Sequence, residues 1–141
     1  MPPRRDSDDP TLLVVDDDPL IVRAMIRMLA SYHQPVVALT AHNGEDALAL
    51  LADHHVDVLL SDLFMPGIDG FALMEQARAR QPHLTLVAIT AERTKQTMAR
   101  CQELGVSGFV TKPLDTRELH QHLDLVLAIA RKRGGYDESL G

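Results

Sequence analysis

Residues 13–19, LVVDDDP, join a short apolar run to three aspartates and a proline. The apolar part has the length and the valine and leucine content of a buried β-strand. Asp18 can cap a following helix, and Pro19 suits the first helical position, where no amide donor is needed. The stretch therefore predicts a strand that ends in carboxylates and leads directly into a helix.

The same alternation of strand and helix continues along the chain. Segments of helical periodicity separate five apolar runs, which is typical of βαβ units around a parallel sheet. The runs do not alternate with polar residues, as expected where helices cover both faces of the sheet. The predicted strands span residues 11–15, 36–40, 56–61, 84–89 and 108–111. The predicted fold class is therefore α/β, with a doubly wound sheet of five parallel strands and five helices.

Helical periodicity also predicts which side chains face the sheet. The first and fourth helices are expected to bury six apolar side chains: Ile21, Met25, Met28, Leu29, Met98 and Leu104. The fourth helix should end at Gly105, because glycine is favoured just after a helix.

The composition indicates one soluble domain. The chain has 141 residues, of which 45% are hydrophobic, and a formal net charge of −6, values that disfavour both a disordered chain and a free-standing nucleic-acid binder. The sequence has no apolar run long enough for a membrane span and no signal-peptide core. Its single cysteine, Cys101, fits a reducing compartment. We expect a cytoplasmic protein with a domain over residues 11–133, a disordered tail over 1–10 and a tail or linker over 134–141.

Polar side chains stand at the ends of four predicted strands, and in open parallel sheets functional groups gather at those carboxyl ends. These side chains are Asp16, Asp17, Asp18, Asp62, Thr90 and Lys112. Carboxylates held together repel one another and attract a divalent cation, and oxygen-only ligands favour Mg²⁺. Such an ion and Lys112 could neutralise a phosphoryl group in transfer, to which Thr90 could donate a hydrogen bond.

The segments around these positions resemble the response regulator receiver family of two-component signalling. The similarity covers residues 11–133 and rests on LVVDDDP at 13–19, LSDLFMPGIDG at 60–70, ITA at 89–91 and GFVTKP at 108–113. The resemblance implies a flavodoxin-like receiver fold with strand order 2-1-3-4-5. It also implies a cis peptide bond between Lys112 and Pro113.

The resemblance further implies that Asp62 accepts a phosphoryl group from a phosphohistidine. The donor would be a sensor histidine kinase or a histidine phosphotransfer protein. Asp17, Asp62 and the backbone carbonyl of Phe64 would bind Mg²⁺, Asp16 would hold a metal-bound water, and Lys112 would contact the phosphoryl group. Such a domain is not an enzyme with an external substrate but a signalling switch that catalyses its own phosphorylation and dephosphorylation.

For output, the resemblance couples Thr90 to Phe109 on the fifth strand. The face that changes would consist of the fourth helix, the fifth strand and the fifth helix. A homodimer through this face and a downstream effector domain or protein are left open, as are the cognate kinase and whether the chain is part of a longer regulator. Direct contact of this domain with nucleic acid or membrane is not expected.

A Mg²⁺-dependent phosphohydrolase of the haloacid dehalogenase type is the alternative, because Asp16 and Asp18 imitate its paired aspartates. Against it, Asp18 is followed by Pro19 instead of a Gly-Thr-like turn, and no acidic pair follows Lys112. The receiver would be phosphorylated on Asp62 and the hydrolase on Asp16. A histidine metal site is set aside, because the seven histidines are expected at the surface.

Overall fold

The computed structural model describes residues 8–134. The predicted terminal tails therefore lie mostly outside the described residues. The strands are Thr11–Val15 (β1), Val37–Ala41 (β2), Val58–Asp62 (β3), Thr85–Thr90 (β4) and Gly108–Thr111 (β5). The helices are Pro19–Ala30 (α1), Gly44–Asp53 (α2), Gly70–Arg80 (α3), Lys95–Leu104 (α4) and Thr116–Gly134 (α5).

All paired strands are parallel, and their order is β2-β1-β3-β4-β5. This topology confirms the predicted fold class and strand order. The predicted ends of β2, β3 and β4 were wrong by one residue, so Asp62 and Thr90 are the last residues of their strands. The reason is that the backbone ladder continues past the last apolar side chain: Asp62 pairs with Ile89, and Thr90 pairs with Thr111.

Two apolar cores lie on opposite faces of the sheet. One is covered by α2, α3 and α4, and the other by α1 and α5. In β1, Leu13 and Val15 enter the first core while Leu12 and Val14 enter the second, as the two-residue period of a strand requires. Burial on both faces explains why β1, β3 and β4 are apolar almost throughout.

Helix α1 begins as predicted, with the Asp18 carboxylate accepting the Leu20 N–H at 2.9 Å. Its predicted buried face was partly wrong. Val22, Met25 and Leu29 are buried, whereas Ile21 and Met28 are only partly buried. Val22 is thus a buried position of α1 that the predicted stripe omitted, while Ile21 and Met28 pack at the margin of the core.

Helix α4 ends at Gly105 as predicted, and this glycine has a φ of 74°. The predicted inner residues were again only partly right. Met98 and Leu104 are partly buried, and the fully buried residues of α4 are Thr97 and Cys101. Helix α4 therefore attaches to the core through little apolar surface. Within residues 8–134, no helix has the length and apolar character to cross a membrane.

The expectation that all histidines lie at the surface was wrong for His55 and His83. Their rings stack with centroids 4.4 Å apart, and the His55 side chain is 12% exposed. His55 Nε2 lies 3.0 Å from Asp57 Oδ1, and His83 Nε2 lies 2.9 Å from the Val56 carbonyl oxygen. Burial lowers the pKa of His83, and the two stacked rings lie beside the amino ends of β3 and β4.

Gly70 brings the start of α3 against the end of β3. Its N–H donates to the Leu63 carbonyl oxygen at 2.9 Å. A Cβ atom at position 70 would lie 2.6 Å from Leu63 Cα and closer still to the Asp62 carbonyl oxygen. Only glycine allows the two backbones to approach this closely.

Gly70→Ala is expected to lower the free energy of unfolding by about 1–3 kcal/mol, because the backbone between β3 and α3 must shift to admit a methyl group. Gly108→Ala is the matched control, since a Cβ atom there would lie 3.4 Å from its nearest neighbour, Val126. Urea unfolding of both variants measures the difference. Equal losses of stability would contradict the close packing at Gly70.

Candidate functional site

Three carboxylates meet at the carboxyl edge of the sheet. Asp16 and Asp17 directly follow β1, Asp62 ends the adjacent strand β3, and one oxygen of each lies within 4.8 Å of the other two. Asp16 and Asp62 are buried, whereas Asp17 is exposed. Because β1 and β3 are parallel neighbours, their carboxyl ends bring together acidic residues that are far apart in sequence.

Lys112 supplies a cation to this cluster. It follows β5, and its ammonium reaches back across the end of β4, so that Nζ lies 2.9 Å from Asp16 Oδ2 and 3.1 Å from Asp62 Oδ2. Burial lowers the pKa of Lys112, but hydrogen bonds to Asp16 and Asp62 more than offset this, so the pKa is raised. Lys112 is therefore held in its charged form.

The pKa of Asp16 reflects its buried position among the other charged groups of the cluster. Its Oδ1 accepts the Asp18 N–H at 2.9 Å, while its Oδ2 faces Lys112. Burial raises the pKa of Asp16; the Asp18 and Lys112 hydrogen bonds lower it, and the charge of Asp62 raises it again, with a net upward shift. With all groups ionised, three carboxylates and one ammonium leave an excess of two negative charges.

This donor set fits Mg²⁺. The clustered groups are hard oxygen ligands, and a divalent ion would balance their excess charge. The peptide unit of Phe64 lies beside them, because its N–H donates to Asp62 Oδ1 at 3.2 Å. Asp18 stands apart, since its carboxylate caps α1.

Thr90 and Phe109 lie near the cluster but do not join it. The Thr90 hydroxyl donates to the Glu92 carbonyl oxygen at 3.2 Å and accepts the Glu92 N–H at 3.0 Å. Phe109, on β5, is partly buried against the core under α2, α3 and α4, and the Arg93 guanidinium lies 5.4 Å from its ring centroid. Thr90 and Phe109 thus lie on neighbouring strands, β4 and β5. The peptide bond between Lys112 and Pro113 is cis, as the resemblance implied.

Several contacts of the site were not predicted from the sequence. Arg93 on Phe109 is one, and Arg100 on Phe71 is another, with the Arg100 guanidinium carbon 3.8 Å from the ring centroid. Exposed arginines occur throughout helices and loops, so nothing in the local sequence marks these two.

Comparison with known proteins decides the family. A profile of the Response regulator receiver domain matches residues 12–124. The chain belongs to this family. The family membership does not favour the phosphohydrolase alternative.

Relatives of this receiver domain occur in larger proteins. It is 35% identical over 127 residues to the sensor histidine kinase RcsC of Escherichia coli, covering 90% of this chain and 13% of the kinase. It is 38% identical over 105 residues to the DNA-binding transcriptional regulator NtrC of Salmonella typhimurium, covering 74% of this chain and 22% of the regulator. The receiver domain thus matches only a small part of each of these relatives.

Solved structures agree with the fold. The signal receiver domain of an HD domain-containing protein from Pseudomonas fluorescens has a TM-score of 0.81 and 26% identity, over 88% of this chain and 98% of that one. The chemotaxis protein CheY4 of Vibrio cholerae has a TM-score of 0.78 and 25% identity, over 84% and 98%. The receiver domain is therefore a member of a family of signalling switches in two-component systems.

Asp16→Asn is expected to raise the free energy of unfolding at pH 7 in the absence of divalent cations, because it removes one of the clustered charges. The raised pKa of Asp16 means that its ionisation opposes folding. This cost is fully present above the raised folded pKa and disappears as the pH falls towards the unfolded value.

The gain in stability should therefore shrink on acidification, as measured by urea unfolding at a series of pH values. Glu75→Gln, which removes an exposed carboxylate on α3, is the control and should change little. A gain that is constant with pH would contradict the ionisation argument.

Proposed function

We propose that this receiver domain accepts a phosphoryl group on Asp62 from the phosphohistidine of a sensor histidine kinase or a histidine phosphotransfer protein, with Mg²⁺ as its cofactor. The observation that carries the proposal is the ion pair between Lys112 and the buried Asp62 carboxylate inside an acidic cluster. The Asp62 carboxylate therefore has the Lys112 ammonium beside it, and the neighbouring carboxylates of Asp16 and Asp17 offer oxygen ligands for a metal cation.

In the proposed reaction, a carboxylate oxygen of Asp62 attacks the phosphorus atom. The bond from phosphorus to the donor histidine nitrogen breaks as the new phosphorus–oxygen bond forms, and the imidazole leaves with that electron pair. Lys112 compensates charge on the phosphoryl oxygens, and Thr90 donates a hydrogen bond to them.

Asp17, Asp62 and the Phe64 carbonyl would hold Mg²⁺, and Asp16 would orient a water of its coordination shell. The ion would supply further compensation of the phosphoryl charge during transfer. The N–H from Phe64 to Asp62 Oδ1 orients the acceptor carboxylate. Attack of a water molecule on the phosphorus atom of the resulting acyl phosphate would release inorganic phosphate and return Asp62 to its free carboxylate.

The proposed output passes through Thr90 and Phe109. The Thr90 hydroxyl would leave Glu92 for the new phosphoryl oxygens, and the Phe109 ring would turn towards the vacated space. Phosphorylation adds about −1.5 to −2 charge, enough to bias two conformations of similar free energy. The face formed by α4, β5 and α5 would then change its affinity for a partner.

The relatives suggest both donors and recipients of the signal. A sensor histidine kinase and a DNA-binding transcriptional regulator contain regions similar to this chain. We propose a histidine kinase or phosphotransfer partner, an effector domain or protein downstream, and dimerisation through α4, β5 and α5. The proposed location is the cytoplasm, in keeping with the buried free thiol of Cys101.

Wild-type protein incubated with acetyl phosphate and Mg²⁺ should gain the mass of one phosphoryl group, and EDTA should prevent the gain. Asp62→Asn should gain none, because the nucleophile is absent. Asp53→Asn, which alters an exposed carboxylate at the end of α2, is the control and should behave like wild type. Intact-mass spectrometry provides the measurement, and a phosphoryl group on Asp62→Asn would refute the proposal.

Thr90→Ala should lose the response of β5 to phosphorylation, because no hydroxyl can move from Glu92 to the phosphoryl group. Thr90→Ser keeps the hydroxyl and should keep the response. Amide NMR shifts of residues 108–111 report it, with the extent of phosphorylation of each variant checked by mass. Equal β5 shifts in phosphorylated Thr90→Ala and Thr90→Ser would argue against this switch.

A further inference from the structure

Two side chains from different parts of the chain, Phe64 and Arg100, contact the aromatic ring of Phe71. Phe71, the second residue of α3, is 3% exposed, and the Phe64 ring meets it edge to face with centroids 6.0 Å apart. The Arg100 guanidinium of α4 lies over the same Phe71 ring, 3.8 Å from its centroid. We refer to Phe64, Phe71 and Arg100 together as the Phe71 stack.

Phe71 is fixed with respect to the phosphoacceptor strand. Gly70, the residue before it, packs against the backbone of Asp62 and Leu63. Asp69 caps α3 by accepting the Ala72 N–H at 2.8 Å. The backbone that carries Phe71 is therefore packed against the end of β3, and the Phe64 and Arg100 side chains contact the Phe71 ring.

Helix α4, by contrast, buries little apolar surface against the rest of the domain. Thr97 and Cys101 are its buried residues, and Arg78 holds its carboxyl end by donating to the Leu104 carbonyl oxygen at 2.8 Å. Arg100 on Phe71 supplies a lateral contact from the middle of the helix to α3. An element with little buried apolar surface is displaced at low cost, so the loss of one such contact matters.

Phe64 connects the stack to the phosphoacceptor. Its N–H donates to Asp62 Oδ1 at 3.2 Å, and the residue is 48% exposed, so its ring has room to move. Phosphorylation of the carboxylate changes the acceptor of this hydrogen bond. Phe71 is only 3% exposed, and the Phe64 ring packs against it, so displacement of Phe64 would admit water to Phe71. A cation–π contact weakens as water gains access to it, so the contact of Arg100 with Phe71 would weaken as well.

We propose that the Phe71 stack is a second output route, separate from Thr90 and Phe109, in which Arg100 is a positioning residue for α4. In the unphosphorylated domain Phe64 covers the contact of Arg100 with Phe71 and α4 stays docked. Phosphorylation of Asp62 draws the Phe64 backbone to a new position, its ring uncovers Phe71, and α4 loosens. This inference rests on the proposed phosphorylation of Asp62.

Cys101 provides the means to test it. It is the only cysteine of the chain, lies on α4 and is 0% exposed, so a thiol reagent such as DTNB reacts only when α4 lifts away. Burial raises the pKa of this thiol, and the charge of Arg100 offsets part of that rise, so Arg100→Gln by itself would raise the pKa further and slow the chemical step. Faster labelling of that variant must therefore come from movement of the helix.

Unphosphorylated Arg100→Gln should be labelled about two- to fivefold faster than wild type, which corresponds to the loss of one exposed cation–π contact. Arg100→Lys keeps the charge without the planar stacking group and should be intermediate. Lys95→Gln removes an exposed cation from the same helix and should match wild type. Phe64→Ala should also accelerate labelling, and the double variant with Arg100→Gln should show less than the product of the two effects.

The same samples are then labelled after treatment with acetyl phosphate and Mg²⁺, with phosphorylation followed by intact mass. Compared at equal extents of phosphorylation, wild type and Thr90→Ala should both be labelled faster than before, whereas Arg100→Gln should gain little. Absence of a phosphoryl group would sink the proposed function itself. Equal labelling of wild type and Arg100→Gln before phosphorylation, or equal acceleration of both after it, would overturn the role of the stack while leaving phosphorylation of Asp62 intact.

Discussion

The site depends on the burial of two carboxylates, Asp16 and Asp62, beside one ammonium, Lys112. Two like charges about 4 Å apart repel by roughly 4 kcal/mol at the effective dielectric constant of a protein surface. Lys112 offsets part of this repulsion by contacting both carboxylates, and Asp17 adds a further negative charge. The excess negative charge that remains favours binding of a divalent cation by these three carboxylates.

The parallel sheet is what makes this arrangement possible. Its strand order places β1, β3, β4 and β5 side by side, so all their carboxyl ends open at one edge. The Lys112 N–H donates to the Thr90 carbonyl oxygen at 3.1 Å, which ties the end of β5 to the end of β4. Side chains from three separate parts of the chain therefore meet at one place without any long loop.

The fold and the clustered residues could be predicted because their signals are local. Strands buried on both faces are continuous apolar runs, and the polar residues that end those runs stand out. The strand ends at Asp62 and Thr90 were placed one residue early, since backbone pairing does not require an apolar side chain. The face of α1 was also misjudged, because Ile21 and Val22 are equally apolar and only packing against the sheet chooses between them.

Contacts between distant side chains could not be predicted in this way. The stacked rings of His55 and His83 and the contact of Arg100 with Phe71 join residues whose separation in sequence follows no helical or strand period. Their positions depend on how separate elements pack on the sheet. The contact of Arg100 with Phe71 joins α3 to α4, whose buried residues are only Thr97 and Cys101.

We propose that the cluster of carboxylates around Lys112 makes the Asp62 carboxylate, and no other, the nucleophile. Borohydride reduces an acyl phosphate to an alcohol, so treating the phosphorylated protein and sequencing its peptides by mass spectrometry locates the reacted carboxylate. The account predicts that the reduced side chain is at residue 62 and that it forms only when Mg²⁺ is supplied. Reduction at Asp16 or Asp17, or equal reduction at residue 62 without a divalent ion, would contradict it.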